Sequence, residues 1–198
     1  MPNETINSAL STYHLSSGTE RLVQPAKKNF FEFIIEDIDG LLSAGVSESL
    51  AQSSDYLQDA QEIIRLAVHE VSVPHFTLST LSIRKGNSVS KYAGVPTFPD
   101  GTLICTDYVG LEVKRVLEAW QNLAYNVVKD TGGRASAYKK NCTLIEYTSD
   151  HVPVRSWQLI GCWVRDLSED SYNQETDDIQ RITAAFEYDR AVPQYENV

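Results

Sequence analysis

The feature that most constrains this chain is the run Val152 to Asp166, Val-Pro-Val-Arg-Ser-Trp-Gln-Leu-Ile-Gly-Cys-Trp-Val-Arg-Asp, together with the segment that follows its acidic spacer. The run is β-branched and aromatic on both of its faces, with Trp157 and Trp163 at one parity and Ile160, Cys162 and Val164 at the other. A strand apolar on both sides must be covered on both sides, by a second sheet or by another subunit. Past the spacer, Asp177 to Asp189 alternates strictly: Ile182, Ala184, Phe186 and Tyr188 against Arg181, Thr183, Ala185, Glu187 and Asp189. Such a period of two predicts a half-buried strand with one wet face. The two segments therefore read as a hairpin.

The rest of the chain is arranged to match. Residues 1–26 are rich in Ser, Thr and Asn and predict an N-terminal arm. Asn29 to Ile38 predicts the first strand, ended by the turn signal Asp39-Gly40. The segment 41–59 has neither helical nor strand period and is expected as a long loop insertion. Glu62 to Val73, closed by Pro74, predicts a second strand, and Phe76 to Ile83 a third that turns at Arg84 to Asn87. Ser88 to Pro96 and Thr102 to Asp107 predict strands around Phe98-Pro99-Asp100-Gly101, where Asp-Gly signals a tight turn. One helix is expected, Leu111 to Tyr125, with Val113, Val116, Leu117, Trp120, Leu123 and Ala124 on one face and Thr106 or Asp107 as cap. Cys142 to Thr148 predicts a further strand turning at Ser149-Asp150-His151. The fold class expected is mainly β: an antiparallel sandwich or barrel with one flanking α-helix, its domain spanning 27–190 and followed by a C-terminal tail, 191–198.

Charge and reactive residues narrow the function. The 198-residue chain carries a net charge of −10, which argues against direct nucleic-acid affinity. Cys105, Cys142 and Cys162 are an odd number at wide spacing in apolar runs and read as buried thiols of a reducing cytoplasm. There is no basic-apolar leader and no run of membrane-spanning length, so a soluble protein is expected. His69 and His75 lack a Cys or carboxylate at ligand spacing and read as structural. Asp166, Glu169, Asp170, Glu175, Asp177 and Asp178 lack the order of a calcium loop and read as a solvated loop or, on the resemblance given below, an inter-ring contact. Thr131-Gly132-Gly133-Arg134 is a turn, with no Gly-Lys-Ser/Thr to make it a phosphate loop. No nucleophile–base arrangement is evident, so neither an enzyme, a cofactor nor a metal is expected.

The closing segments, Arg155-Ser-Trp-Gln-Leu-Ile-Gly-Cys-Trp-Val164 and Asp178-Ile-Gln-Arg-Ile-Thr-Ala-Ala-Phe-Glu-Tyr-Asp189, resemble the last strands of tail tube proteins from contractile-tail bacteriophages. The resemblance runs in order through Asn29-Phe-Phe-Glu-Phe-Ile34, Val71-Ser-Val-Pro74, Leu103 to Asp107, the helix around Trp120, and Ala137-Tyr-Lys-Lys-Asn141. It implies a structural virion protein whose six-fold rings join inner strands into a β-barrel and stack into the conduit for DNA. The implied partners are further copies of the chain and the sheath, baseplate and tape-measure proteins. DNA would pass without specific binding, and no membrane is involved. The implied location is the virion tail, assembled in the host bacterial cytoplasm. A ring of the baseplate, initiator or terminator is an alternative, as is, from a different class, a monomeric β-barrel that binds a ligand or partner. On the tube reading Arg181, Thr183, Glu187 and Asp189 are candidate lumen-facing residues, and Trp157, Leu159, Ile160 and Trp163 a candidate inter-subunit strand.

Overall fold

The computed structural model describes residues 27–38, 60–110, 112–175 and 177–195. The expected arm 1–26 and insertion 41–59 lie outside them. The described chain is antiparallel throughout its main sheet, as the hairpin-rich sequence predicts. Its elements are β1 (Phe31–Ile35), α1 (Ala60–Ala67), β2 (Val68–Val71), β3 (Thr77–Lys85), β4 (Ser88–Thr97) and β5 (Gly101–Thr106). There follow α2 (Glu112–Ala124), β6 (Tyr125–Asn126), β7 (Thr131–Gly132), α3 (Ala135–Tyr138), β8 (Lys140–Tyr147), β9 (Pro153–Glu169), β10 (Arg181–Glu187) and β11 (Arg190–Tyr195).

Strand β9 organises the molecule. Its first half pairs with β8 on one side and β11 on the other, and β8 pairs with β1. Its second half pairs with β10, which pairs with β5, which pairs with β2. One strand thus belongs to two sheets. The handover occurs at a bulge: Lys140 lies opposite Cys162 and Cys142 opposite Leu159, so β9 carries one residue more than β8 across this interval. Gly161 sits in the bulge with φ of +73°, a left-handed conformation that side-chain-bearing residues adopt at a cost. A second bulge follows, where Ala185 faces Asp166 and Phe186 faces Val164.

These bulges correct the face assignment made from parity alone. Trp157 and Leu159 point inward before Gly161, and Cys162 and Val164 point inward after it, so Trp163 lies on the opposite face from Trp157. The strand that looks apolar on both sides is one whose inward phase changes once per bulge.

Buried residues of both sheets and of α1 and α2 form one core, including Phe33, Leu144, Leu159, Leu117, Trp120 and Ile182. Helix α2 buries Val113, Val116, Leu117, Ala119 and Trp120, as the predicted stripe requires, with Ala119 widening it. The Trp120 indole N–H donates to the Tyr138 carbonyl at 2.7 Å, and Gln121 Nε2 donates to the Arg165 carbonyl at 3.1 Å. The Asp107 side chain accepts from the Tyr108 N–H at 3.0 Å, several residues before α2 begins, so it does not cap the helix as expected.

Three further expectations are corrected. Ala60–Ala67 is helical, not extended: Ala60, Ile64 and Ala67 are its buried residues and repeat at helical spacing, with Glu62 in the first turn and Arg65 in the last. Only Val68–Val71 of that stretch is strand. Asp100-Gly101 is not a hairpin turn, because β4 pairs with β3 while β5 joins β10 and β2. Gly101 is instead the place where the Phe186 ring lies against the backbone, in space a Cβ would need. Residues 190–195, expected in part as a tail, form β11 along β9, closing that edge of the sheet.

Candidate assembly surface

Hairpin β3–β4 forms a two-stranded sheet of its own, and nearly every residue in it is exposed on both faces. Leu81 lies directly opposite Tyr92, and Ile83 follows on the same face; Thr80, Ser82, Arg84, Val89, Lys91 and Ala93 occupy the other. Leu81 is 56% exposed, Tyr92 47% and Val95 72%. A lone two-stranded hairpin is marginal in water, so this one depends on its root and on whatever covers its apolar face. The root is aromatic. Phe76, Phe98, Tyr188, Phe186 and Phe33 form a chain of ring contacts at 6.0, 6.1, 6.0 and 5.8 Å from the hairpin into the core. Burial pushes the Tyr188 hydroxyl pKa up, which fits its place inside this chain.

The outward face of the second sheet (β9, β10, β5 and β2) is the other feature. Thr106 lies beside Arg181, Ile104 beside Thr183, and Thr102 beside Ala185. Asp166 and Ser168 continue the rows on β9. The face is broad, made of small polar side chains, and charged in both signs. Arg165 Nη1 reaches Glu187 at 3.0 Å and also pairs with Asp100.

Three of the four residues assigned to a wet lumen face from sequence, Arg181, Thr183 and Glu187, thus share one surface. Asp189 does not join them. It sits at the kink between β10 and β11, where both carboxylate oxygens accept from Lys139 Nζ at 2.7 Å. Of the four strand residues singled out for inter-subunit contact, Trp157 and Leu159 are spent inside the core, with the Arg155 guanidinium 5.4 Å from the Trp157 ring. Ile160 is 38% exposed at the bulge, and Trp163 stands half-buried, edge-on to Tyr138 at 5.9 Å.

A groove of about 720 Å³ lies at the seam between β1, β8 and β2, lined by Phe31, His69, Val71, Leu144, Tyr147 and Val154 among others. His69 and His75 are exposed, and the described residues contain no group of three or more metal-ligating side chains. The three cysteines are buried and free. No described helix is long and apolar enough to cross a membrane. The hairpin β3–β4 was the surface that sequence reasoning missed. Its signal was present: Leu78 falls out of phase with Leu81 and Ile83, and no carboxylate occurs between Thr77 and Thr97.

Comparison with known proteins bears on these surfaces. Residues 31–191 match the family model described as T4-like virus tail tube protein gp19. The fold is shared with a chain of the anti-feeding prophage cap, the AFP tube terminating cap, with TM-score 0.63 and 15% identity over 87% of this chain and 93% of that one. It is shared as well with a chain of the PVC extracellular contractile injection system sheath-tube complex in the extended state, with TM-score 0.63 and 16% identity over 91% and 99%. A chain of the PVC sheath/tube terminator gives TM-score 0.59 and 17% identity over 86% and 97%. No curated protein sequence is recognisably similar.

Proposed function

The chain belongs to the T4-like virus tail tube protein gp19 family, and from that premise we propose that its copies assemble into six-fold rings stacked as the inner tube of a contractile tail, the conduit for DNA during ejection. The family is structural, not enzymatic. The observation that carries the ring proposal is hairpin β3–β4, whose apolar face of Leu81, Ile83 and Tyr92 has no cover among the described residues. Covering it with a neighbouring copy removes apolar surface from water, at roughly 25 cal/mol per Å², and leaves no open hairpin to aggregate.

In this reading the outward face of the second sheet lines the lumen, with Arg181, Thr183 and Glu187 on the wall. Paired charges such as Arg165 with Glu187 leave no concentrated positive surface for a phosphate backbone to adhere to. Ile160 and Trp163, the outward members of their strand, face a neighbour. The sheath, the baseplate and the tape-measure protein are the remaining partners, and the particle is a virion tail assembled in the host bacterial cytoplasm. A second reading, a ring that ends the tube, is supported by the fold shared with a tube terminating cap and a sheath/tube terminator.

Negative-stain electron microscopy with light-scattering mass, as concentration is raised, tests the proposal. Hollow tubes support the tube subunit, and single rings that never stack support the terminating ring. A monomer at every concentration contradicts both.

A further inference from the structure

The hairpin carries Arg84, Lys85 and Lys91 and no carboxylate, in a chain whose net charge is −10. None of the three makes an ion pair among the described residues. The end of β9 and its connection to β10 are the opposite: Asp166 and Glu169 on the strand, then Asp170, Glu175, Asp177 and Asp178, with no cation between them. Glu169 is held by Lys114, whereas Asp170, Glu175, Asp177 and Asp178 are exposed and make no ion pair among the described residues.

The register places these two charged elements at opposite ends of the second sheet. The hairpin leaves where Gly101 faces Phe186 and Ser72 N–H donates to Thr102. The acidic connection leaves at the other end, where Thr106 faces Arg181 and the Asp107 N–H donates to the Gln180 carbonyl at 3.1 Å. The length of β5 separates them by roughly 20 Å, well beyond the screening length of about 8 Å at physiological salt. Within one chain the attraction is therefore lost to screening, whereas a second copy can bring the two surfaces together.

We propose that the basic hairpin of one copy docks on the acidic β9–β10 connection of the next copy, so that subunits associate head to tail. This rests on the tube reading and specifies which surfaces make its contact. Beside the carboxylates the connection exposes Tyr172 (82%) and Ile179 (65%), apolar partners for Val89 (52%), which shares the hairpin face of Arg84 and Lys91. The contact is heterologous, so it leaves a free hairpin at one end and a free acidic connection at the other and can propagate. Hairpin against hairpin, or connection against connection, meets like charge, which gives the assembly a polarity.

The test is charge reversal in the full chain. One variant carries Arg84→Glu, Lys85→Glu and Lys91→Glu; a second carries Asp170→Lys, Glu175→Lys, Asp177→Lys and Asp178→Lys. All seven positions are exposed, and circular dichroism checks that both variants fold. Sedimentation at low and high salt should show each variant self-associating about tenfold more weakly than wild type, the worth of a few exposed pairs. An equimolar mixture of the two should recover association, because each supplies the complement the other lacks. Wild-type-like association of either variant alone, or no recovery on mixing, overturns the proposed contact. Tubes that persist in both variants overturn it while leaving the tube reading intact. Salt-sensitive, mixture-rescued association without hollow particles upholds the contact and contradicts the tube. A wild-type chain that stays monomeric at every salt concentration overturns both.

Discussion

The Asp189 carboxylate occupies the space that a side chain at position 161 would need. The bulge that passes β9 from one sheet to the other places Gly161 at φ +73° with its missing Cβ facing Asp189, and Lys139 clamps that carboxylate in place. Gly161→Ala should therefore destabilise the protein by about 1–3 kcal/mol, from left-handed backbone strain together with displacement of Asp189. Asp189→Ala alone should cost under about 1 kcal/mol, since its ion pair is largely exposed. The double variant should be less destabilised than the sum of the two, because the second substitution removes the clash but not the strain. Urea denaturation of all four proteins checks this, and strict additivity would show that the two residues do not share this space.

Trp120 ties α2 to the α3–β8 junction through its hydrogen bond to the Tyr138 carbonyl. Trp120→Phe keeps most of the apolar volume and leaves that carbonyl without its donor, a loss of about 1–3 kcal/mol. A chemical-denaturation midpoint that does not move would place the hydrogen bond outside the folding energetics.

Burial pushes the Cys105 thiol up from 9.0 to about 12, with Asp107 adding to the shift, and burial raises Cys142 in the same direction. The folded chain holds these protons more tightly than the unfolded chain does. Stability is therefore insensitive to thiol ionisation below the ordinary value and falls as pH rises from 9.0 towards about 12. For Cys105 the loss reaches up to about 4 kcal/mol at the top of that window. Denaturation midpoints between pH 8 and 11 should show the decline, and Cys105→Ala should make its slope shallower even if the variant is less stable at neutral pH.

Substitutions on the apolar face of β3–β4 should separate assembly from folding. Leu81→Ser, Ile83→Ser and Tyr92→Ser act on exposed side chains, so each should shift monomer stability by no more than about 0.5 kcal/mol. Combined, they should abolish particles larger than the monomer. Intact assembly, read by light scattering, would mean that this face is not the one a neighbour covers.

Much of the fold was legible because its signals are local. The strict alternation of Ile182, Ala184, Phe186 and Tyr188 fixed β10, and the stripe through Val113, Val116, Leu117 and Trp120 fixed α2. Periodicity failed at two kinds of place. At Gly161 a bulge shifts the inward phase, and parity counted through it puts Trp163 on the wrong side. Over Glu62 to Val73 a strand was expected, while the buried positions Ala60, Ile64 and Ala67 obey the helical period. Asp100-Gly101 carried a turn signal, but that glycine serves the close approach of the Phe186 ring. Alternation alone put Arg181, Thr183 and Glu187 on one shared face of β10. The exposed hairpin was not legible, because propensity predicts strands without saying what covers them.

A cryo-EM reconstruction of the assembled particle tests the central claim most directly. The account predicts a hollow tube with Thr102, Arg181, Thr183 and Glu187 on its inner wall and Leu81, Ile83 and Tyr92 covered by a neighbouring copy. A particle with those wall residues on its outer surface, or with the hairpin's apolar face open to solvent, would contradict it.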